Sequence, residues 1–228
     1  MGGQACVFYG AAQVSKDIDF LVLAEPENFT RLQAALAELR ADRIAVPPFD
    51  PAVLARGHAV HFRCSGTGVE GLRVDVMTRL RAMPEFTSLW ERRATLVDDE
   101  GVEYHLLCIP DLVNAKKTQR SKDWPVIELL VTIHYRENAR EARDHHVDFW
   151  LREARTPELL VELCQMFPTR AAELAPYRPL IRLAEERSLD DLRAALDAEV
   201  RAEQARDRDY WEPLRRELEQ FRRDHRSR

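Results

Sequence analysis

The stretch SKDIDFLVL, residues 15–23, sets two aspartates in a run that is otherwise apolar and rich in strand-forming residues. Such a run reads as a strand, and in a strand residues i and i+2 project from one face. Asp17 and Asp19 therefore stand side by side, with Cα atoms roughly 6.5–7 Å apart. Ile18 and Phe20 are expected to turn the other way, into the core. Two carboxylates so placed repel each other unless a cation lies between them, and a hard dication such as Mg²⁺ takes oxygen ligands of this kind. The competing reading is a solvated strand end with two surface acids, because D-x-D alone is a short pattern. Asp75 in LRVDVM, flanked by Val74 and Val76, adds a third acid in an apolar strand. A shared metal site explains all three.

Two further features fit phosphate chemistry. Gly2 and Gly3 permit close backbone approach, and QACVFYG after them reads as a short helix whose N–H groups and dipole end can face a phosphate. In PDLVNAKKTQR, Lys116 and Arg120 are four apart and are expected on one helix face, with Asp111 as its N-cap. An ordinary solvated cationic face is the rival there. Gly66, Gly68 and Gly71 form a G-x-G-x-x-G pattern, but the next segment, LRVDVMT, alternates as a strand. A hairpin turn between HAVHFRC and LRVDVMT is therefore expected rather than a dinucleotide loop.

The 228 residues are 45% hydrophobic and 32% charged, with a net charge of −5. That balance suits a globular chain and argues against a generally basic nucleic-acid binder. No apolar run approaches the ~18 residues of a membrane span, so no membrane partner is expected, and no signal peptide is visible. Cys6, Cys64, Cys108 and Cys164 are widely spaced without C-x-x-C, which reads as free thiols in a cytoplasmic protein. His58, His61 and Cys64 do not share a strand face, which argues against zinc. The first part mixes strands and helices, including PENFTRLQAALAELR and VEYHLLCI. The later part is helical, with Asp123 capping and Pro125 opening KDWPVIELLVTIHYRE. LDDLRAALDAEVRAEQA and YWEPLRRELEQFRRD read as separate helices. The expected organisation is an α/β (α+β) domain over 1–138 and a helical region over 139–228. Arg215, Arg216, Arg222, Arg223, Arg226 and Arg228 read as a solvated helix end, with RNA phosphate contact as the sharper alternative.

GGQACVFYGAAQVSKDIDFLV resembles the opening signature of the nucleotidyltransferase superfamily of the DNA polymerase beta type: a glycine pair, a short helix, D-x-D on a strand, and a third Asp on a later strand. It is similar in particular to bacterial stand-alone members related to abortive-infection toxins and antibiotic nucleotidyltransferases, with Gly10, Ser15, Lys16, Asp17 and Asp19 at the matching positions. KKTQRSKDWPVIELL also looks like their Lys, Arg and Lys-Asp stretch. The resemblance covers residues 2–137. It implies a mixed sheet with flanking helices. It also implies a Mg²⁺- or Mn²⁺-dependent transfer of a nucleoside monophosphate from an NTP to a hydroxyl on RNA, protein or a small molecule, and a cognate antitoxin protein as a partner. Asp17, Asp19 and Asp75 would be catalytic and metal-binding. Gly2, Gly3, Ser15, Lys116, Lys117 and Arg120 would bind the nucleotide, with Lys122 and Asp123 in support. Two departures stand out. Gln13 sits where relatives often carry Arg or Glu. Relatives also have a helix and a strand before the glycine pair, where Met1 alone precedes it here, so the expectation is a chain that starts further upstream or lacks one strand. The alternative reading is a non-catalytic binding module or truncated inactive homologue.

Overall fold

A computed structural model describes residues 1–44 and 46–226. In chain order it has α1 (Gly2–Phe8), β1 (Asp17–Leu21), α2 (Pro26–Glu38), β2 (Ala41–Arg43), α3 (Pro51–Ala55), β3 (Val60–Cys64), β4 (Arg73–Met77), α4 (Phe86–Glu91), β5 (Ala94–Val97) and β6 (Glu103–Leu106). There follow α5 (Ile109–Lys116), α6 (Trp124–Asn138), α7 (Asp144–Glu153), α8 (Pro157–Met166), α9 (Pro168–Leu174), α10 (Leu180–Glu185) and α11 (Leu189–Arg226). Two compact units form, one from Met1–Ala115 with Arg208–Arg228, the other from Lys116–Asp207.

The first unit carries a four-stranded mixed sheet in the order β1-β4-β3-β2. β1 and β4 are parallel, whereas β3 pairs antiparallel with both β4 and β2. The G-x-G-x-x-G segment is the loop of the β3–β4 hairpin, so no helix begins there. One sheet face is apolar. Val60, Phe62, Cys64, Val74 and Val76 pack with Phe29 and Leu36 of α2, which has Pro26 in its first turn. Period-2 strands thus meet a period-3.6 helix across one core. β5 and β6 form a separate antiparallel pair. His58 is fully buried beside this core, and its Nε2 meets Glu217 of α11 at 2.7 Å, a satisfied structural histidine. Arg56 binds the other oxygen of Glu217 at 2.6 Å.

Four local expectations are corrected. Phe20 is 46% exposed rather than in the core, because β1 is the edge strand of the sheet. Helix α5 starts at Ile109, so Asp111 lies in its first turn instead of at the N-cap. There it accepts a forked pair from Arg92 at 2.5 and 2.8 Å. The same helix stops at Lys116, so Lys116 and Arg120 do not share a helix face; Arg120 instead precedes a short 3-10 turn, Ser121–Asp123. The two helices expected near the end are one helix of 38 residues with Pro213 inside. Pro213 removes a single N–H from the ladder, and apolar residues such as Leu192, Leu196 and Leu214 are buried on both sides of it. Arg215 and Arg216 turn onto Glu212, while Arg228 lies outside the described residues.

The second unit is helical and is centred on Trp150, Leu151, Leu160, Leu163 and Ile181, all fully buried. Arg178 closes the end of α7 by donating to the carbonyls of Leu151 and Ala154, both at 2.8 Å, as cations do at helix C-termini. The Trp150 indole N–H donates to His134 Nδ1 at 2.8 Å, which leaves the His134 proton on Nε2. Burial, with His146 and His145 nearby, pushes His134 down to about 4.

An imidazolium at His134 has no acceptor left for the indole, so its neutral form is favoured on folding. The unfolded chain takes up the proton first, near the ordinary histidine value of ~6.5. The stabilisation is therefore complete above ~6.5 and is lost as pH falls from there towards about 4. Allowing for partial solvent screening, the loss is about 1–2 kcal/mol. Denaturant unfolding at pH 7.5 and 4.5 should show this extra loss for wild type and not for His134→Asn, whose amide oxygen can still accept from Trp150. An equal pH dependence in both proteins would contradict it.

Candidate functional site

The polar face of the four-stranded sheet gathers the charged residues. Asp17 and Asp19 of β1 share it, as the i, i+2 spacing predicts, and parallel pairing sets Asp17 beside Arg73 and Asp19 beside Asp75. The antiparallel β3 places His61 beside Asp75 and Arg63 beside Arg73. Three carboxylates and three basic side chains therefore occupy adjacent positions across three strands. Side chains paired in this way lie about 4.5–5.5 Å apart at Cβ.

Asp75 is only 6% exposed and is fully engaged. Arg73 forks onto it, Nε to Oδ1 and Nη2 to Oδ2, both at 2.8 Å. His61 Nδ1 stands 2.8 Å from Asp75 Oδ1 and 3.0 Å from Arg73 Nη2. One nitrogen cannot donate and accept at once; as the Nδ1–H tautomer it donates to Asp75. Burial pushes the Asp75 carboxyl up, but the bonds from His61 and Arg73 outweigh it and hold the group below the usual carboxylate value. Asp19 goes the other way. Burial and then the charges of Asp17 and Asp75 raise it above that value. The neighbouring carboxylates thus have opposite balances: Asp75 is held by a guanidinium, while at Asp19 burial and two acids outweigh the terminal ammonium and the Gly3 N–H.

The glycine pair is explained by this acid. Gly2 has φ +70°, and a Cβ there would sit 1.8 Å from Asp19 Oδ2. A Cβ on Gly3 would sit 2.4 Å from Ser15 Oγ. The first turn of α1 is thus pressed against β1, and the Gly3 N–H points at Asp19 Oδ2 at 3.4 Å. Ser15 Oγ reaches the Asp17 carbonyl at 2.9 Å and Asp17 Oδ1 at 3.1 Å. As arranged, Gly3 and Ser15 serve the aspartates directly.

Among the described residues, no three His, Cys, Asp or Glu side chains stand together so as to hold one metal ion. Asp17 and Asp19 nonetheless fit a hard dication: both are oxygen donors on one face, and burial with two neighbouring acids disfavours the Asp19 anion unless more positive charge is supplied. Asp75 fits as a third ligand only once its oxygens leave Arg73 and His61. The Arg73 guanidinium currently supplies the positive charge that a metal would bring.

The remaining predicted residues belong to the second unit. Lys116 Nζ lies 3.5 Å from Asp123 Oδ1, and Thr118 Oγ1 and Arg120 Nε donate to Asp123 Oδ2 at 2.6 and 2.9 Å. Asp123 occupies the N-cap position of α6, as its place before Pro125 predicts, but its carboxylate bonds these side chains rather than the helix backbone. Lys117 Nζ donates to Glu153 at 2.6 Å, and Lys122 is exposed on the 3-10 turn. Sequence reasoning missed Arg73 and His61. Arg73 was visible as the i−2 neighbour of Asp75 on the same strand face. His61 needed the hairpin register, which the sequence does not print.

Gly2→Ala should lower stability by about 1–3 kcal/mol, since it meets both a positive φ and the Asp19 carboxylate. Gly3→Ala meets the Ser15 hydroxyl, so Gly3→Ala with Ser15→Gly should recover much of that variant's loss. Thermal unfolding of the three proteins reads this, and an unchanged Gly2→Ala would show that α1 does not rest on Asp19.

Comparison of the chain with protein-family models, with curated proteins and with solved structures finds no match.

Proposed function

We propose that the first unit is a nucleotidyltransferase that moves a nucleoside monophosphate from an NTP to a hydroxyl-bearing acceptor. The observation that carries the reading is the placement of Asp17, Asp19 and Asp75 at adjoining positions of one polar sheet face, with the Gly2–Gly3 turn against Asp19. The resemblance of the opening segment to nucleotidyltransferases supplies the reaction class.

Asp17 and Asp19 would hold a Mg²⁺ or Mn²⁺ ion. Such an ion supplies charge stabilisation to phosphoryl oxygens. Asp75 accepts the proton of the attacking hydroxyl as the new O–P bond forms at the α-phosphorus and pyrophosphate leaves. The products are a phosphodiester, pyrophosphate and one proton, so the step balances. Arg73 and His61 position Asp75. When its carboxylate turns to substrate, the Arg73 guanidinium remains beside the phosphoryl oxygens, where a planar fork pairs well. Ser15 orients Asp17 through its hydroxyl. The assignment of Lys116, Lys117 and Arg120 to the nucleotide rests on the resemblance alone.

A second reading has its own support. The closed Asp75–Arg73–His61 cluster suits a module that binds without transferring. Labelling separates the two. With α-labelled NTP, Mg²⁺ and a cell extract, wild type should label an acceptor. Asp17→Asn, Asp19→Asn and Asp75→Asn should each label it at least about a hundredfold less, roughly 3 kcal/mol of transition-state stabilisation. Asp75→Asn should still bind the NTP. Tight NTP binding with no labelling by wild type would favour the binding module. Equal labelling by wild type and Asp75→Asn would remove Asp75 from the chemistry.

A further inference from the structure

The second unit contains a cavity of about 240 Å³, and Lys117 is the one lining residue that the nucleotidyl-transfer reading also assigns. Its walls come from α7, α9, α11 and the segments after α5, α7 and α9. Lys117, Arg152, Arg155, Arg178 and Arg206 line it. Only three carboxylates stand against them, those of Glu153, Glu199 and Glu203. The lining therefore carries two more positive than negative charges, in a chain whose net charge is −5. Concentrated excess charge of this kind attracts counter-ions of the opposite sign.

The acids order the cations without exhausting them. Arg155 bonds Glu199 by Nη1 at 2.9 Å and Glu153 by Nη2 at 2.8 Å, and its guanidinium lies 5.5 Å from the Trp124 ring centre. Glu199 also takes Arg178, at 2.8 Å from Nη2. The Arg155 side chain is only 8% exposed. Its Nε is the one buried side-chain nitrogen or oxygen without a hydrogen-bond partner among the described residues. A buried N–H left unpaired is destabilising, and an acceptor that reached it from the cavity would satisfy it. At the rim Tyr177 is 79% exposed and offers a flat face.

We propose that this cavity binds the phosphate group of a small ligand. A phosphate dianion matches the surplus of two charges, and its oxygens can accept from the guanidinium groups of Arg152 and Arg206, which lie outside the Arg155–Glu199–Arg178 network. The volume is below the ~300–1,000 Å³ of drug-sized sites, which favours a phosphate with little attached to it. The proposal does not rest on nucleotidyl transfer: no residue of the first unit takes part, and Lys117, assigned to the nucleotide by resemblance alone, is one lining residue among ten.

The test is calorimetric titration with inorganic phosphate, ribose 5-phosphate and AMP, at ionic strength matched with chloride. Wild type should bind inorganic phosphate and ribose 5-phosphate. AMP should bind tighter than ribose 5-phosphate if Tyr177 stacks on a base, and Tyr177→Ala should remove that difference alone. Arg152→Gln with Arg206→Gln leaves the buried Arg155–Glu199–Arg178 network in place and should weaken phosphate binding about tenfold or more. Arg155→Lys keeps the charge, lacks the Nε–H and should weaken it too. Asp17→Asn with Asp19→Asn should bind phosphate as wild type does, whatever the outcome of the labelling experiment. No phosphate binding by wild type at roughly 10 mM, undiminished binding in the Arg152/Arg206 double variant, or loss of binding in the Asp17/Asp19 variant would each overturn the proposal.

Discussion

The parallel register between β1 and β4 is the constraint on which the first unit depends. It sets Asp19 against Asp75 and Asp17 against Arg73, so like and unlike charges meet on the same stripe. A slip of one residue would send the aspartates into the apolar layer with Val74 and Val76 and bring Ile18 to the surface. Register is thus protected from both sides. The apolar face packs on α2, and on the polar face Arg73 forks onto a nearly buried carboxylate that would otherwise be unpaired. Removing one partner of such a pair costs far more than the pair contributes, because an uncompensated charge remains.

The same arrangement gives the face its chemical asymmetry. Asp75 is kept ionised by basic neighbours, while Asp19 is crowded by acids and burial. A surface evolved only for solvation has little reason to press a helix start with two glycines onto the more crowded acid. The close approach at Gly2 limits what can stand above Asp19 to backbone N–H groups and small species.

Much of this was legible from residues alone. The i, i+2 spacing put Asp17 and Asp19 on one face, and the alternation in HAVHFRC and LRVDVMT gave the hairpin; the short helix was expected after the glycine pair, but it includes both glycines in its first turn. What stayed illegible depended on long-range pairing. Strand order made β1 an edge and exposed Phe20, and hairpin register brought in His61. Local patterns also misled where side chains had better partners than the backbone. Asp111 and Asp123 looked like caps, yet one holds Arg92 and the other gathers Thr118, Lys116 and Arg120. Pro213 looked like a helix boundary, but one lost N–H is outweighed by burial along the same helix.

The sheet-bearing unit is discontinuous in sequence, since Arg208–Arg228 belongs with Met1–Ala115. On the ribosome, Glu217 emerges long after the strands, so for most of its synthesis the imidazole of His58 lacks its carboxylate and Gly57 lacks the Tyr210 ring that later covers it. The intervening 116–207 segment has all its own helices available earlier. The helical unit is thus continuous in sequence, whereas the sheet-bearing unit is complete only when the last residues, 208–228, have joined it.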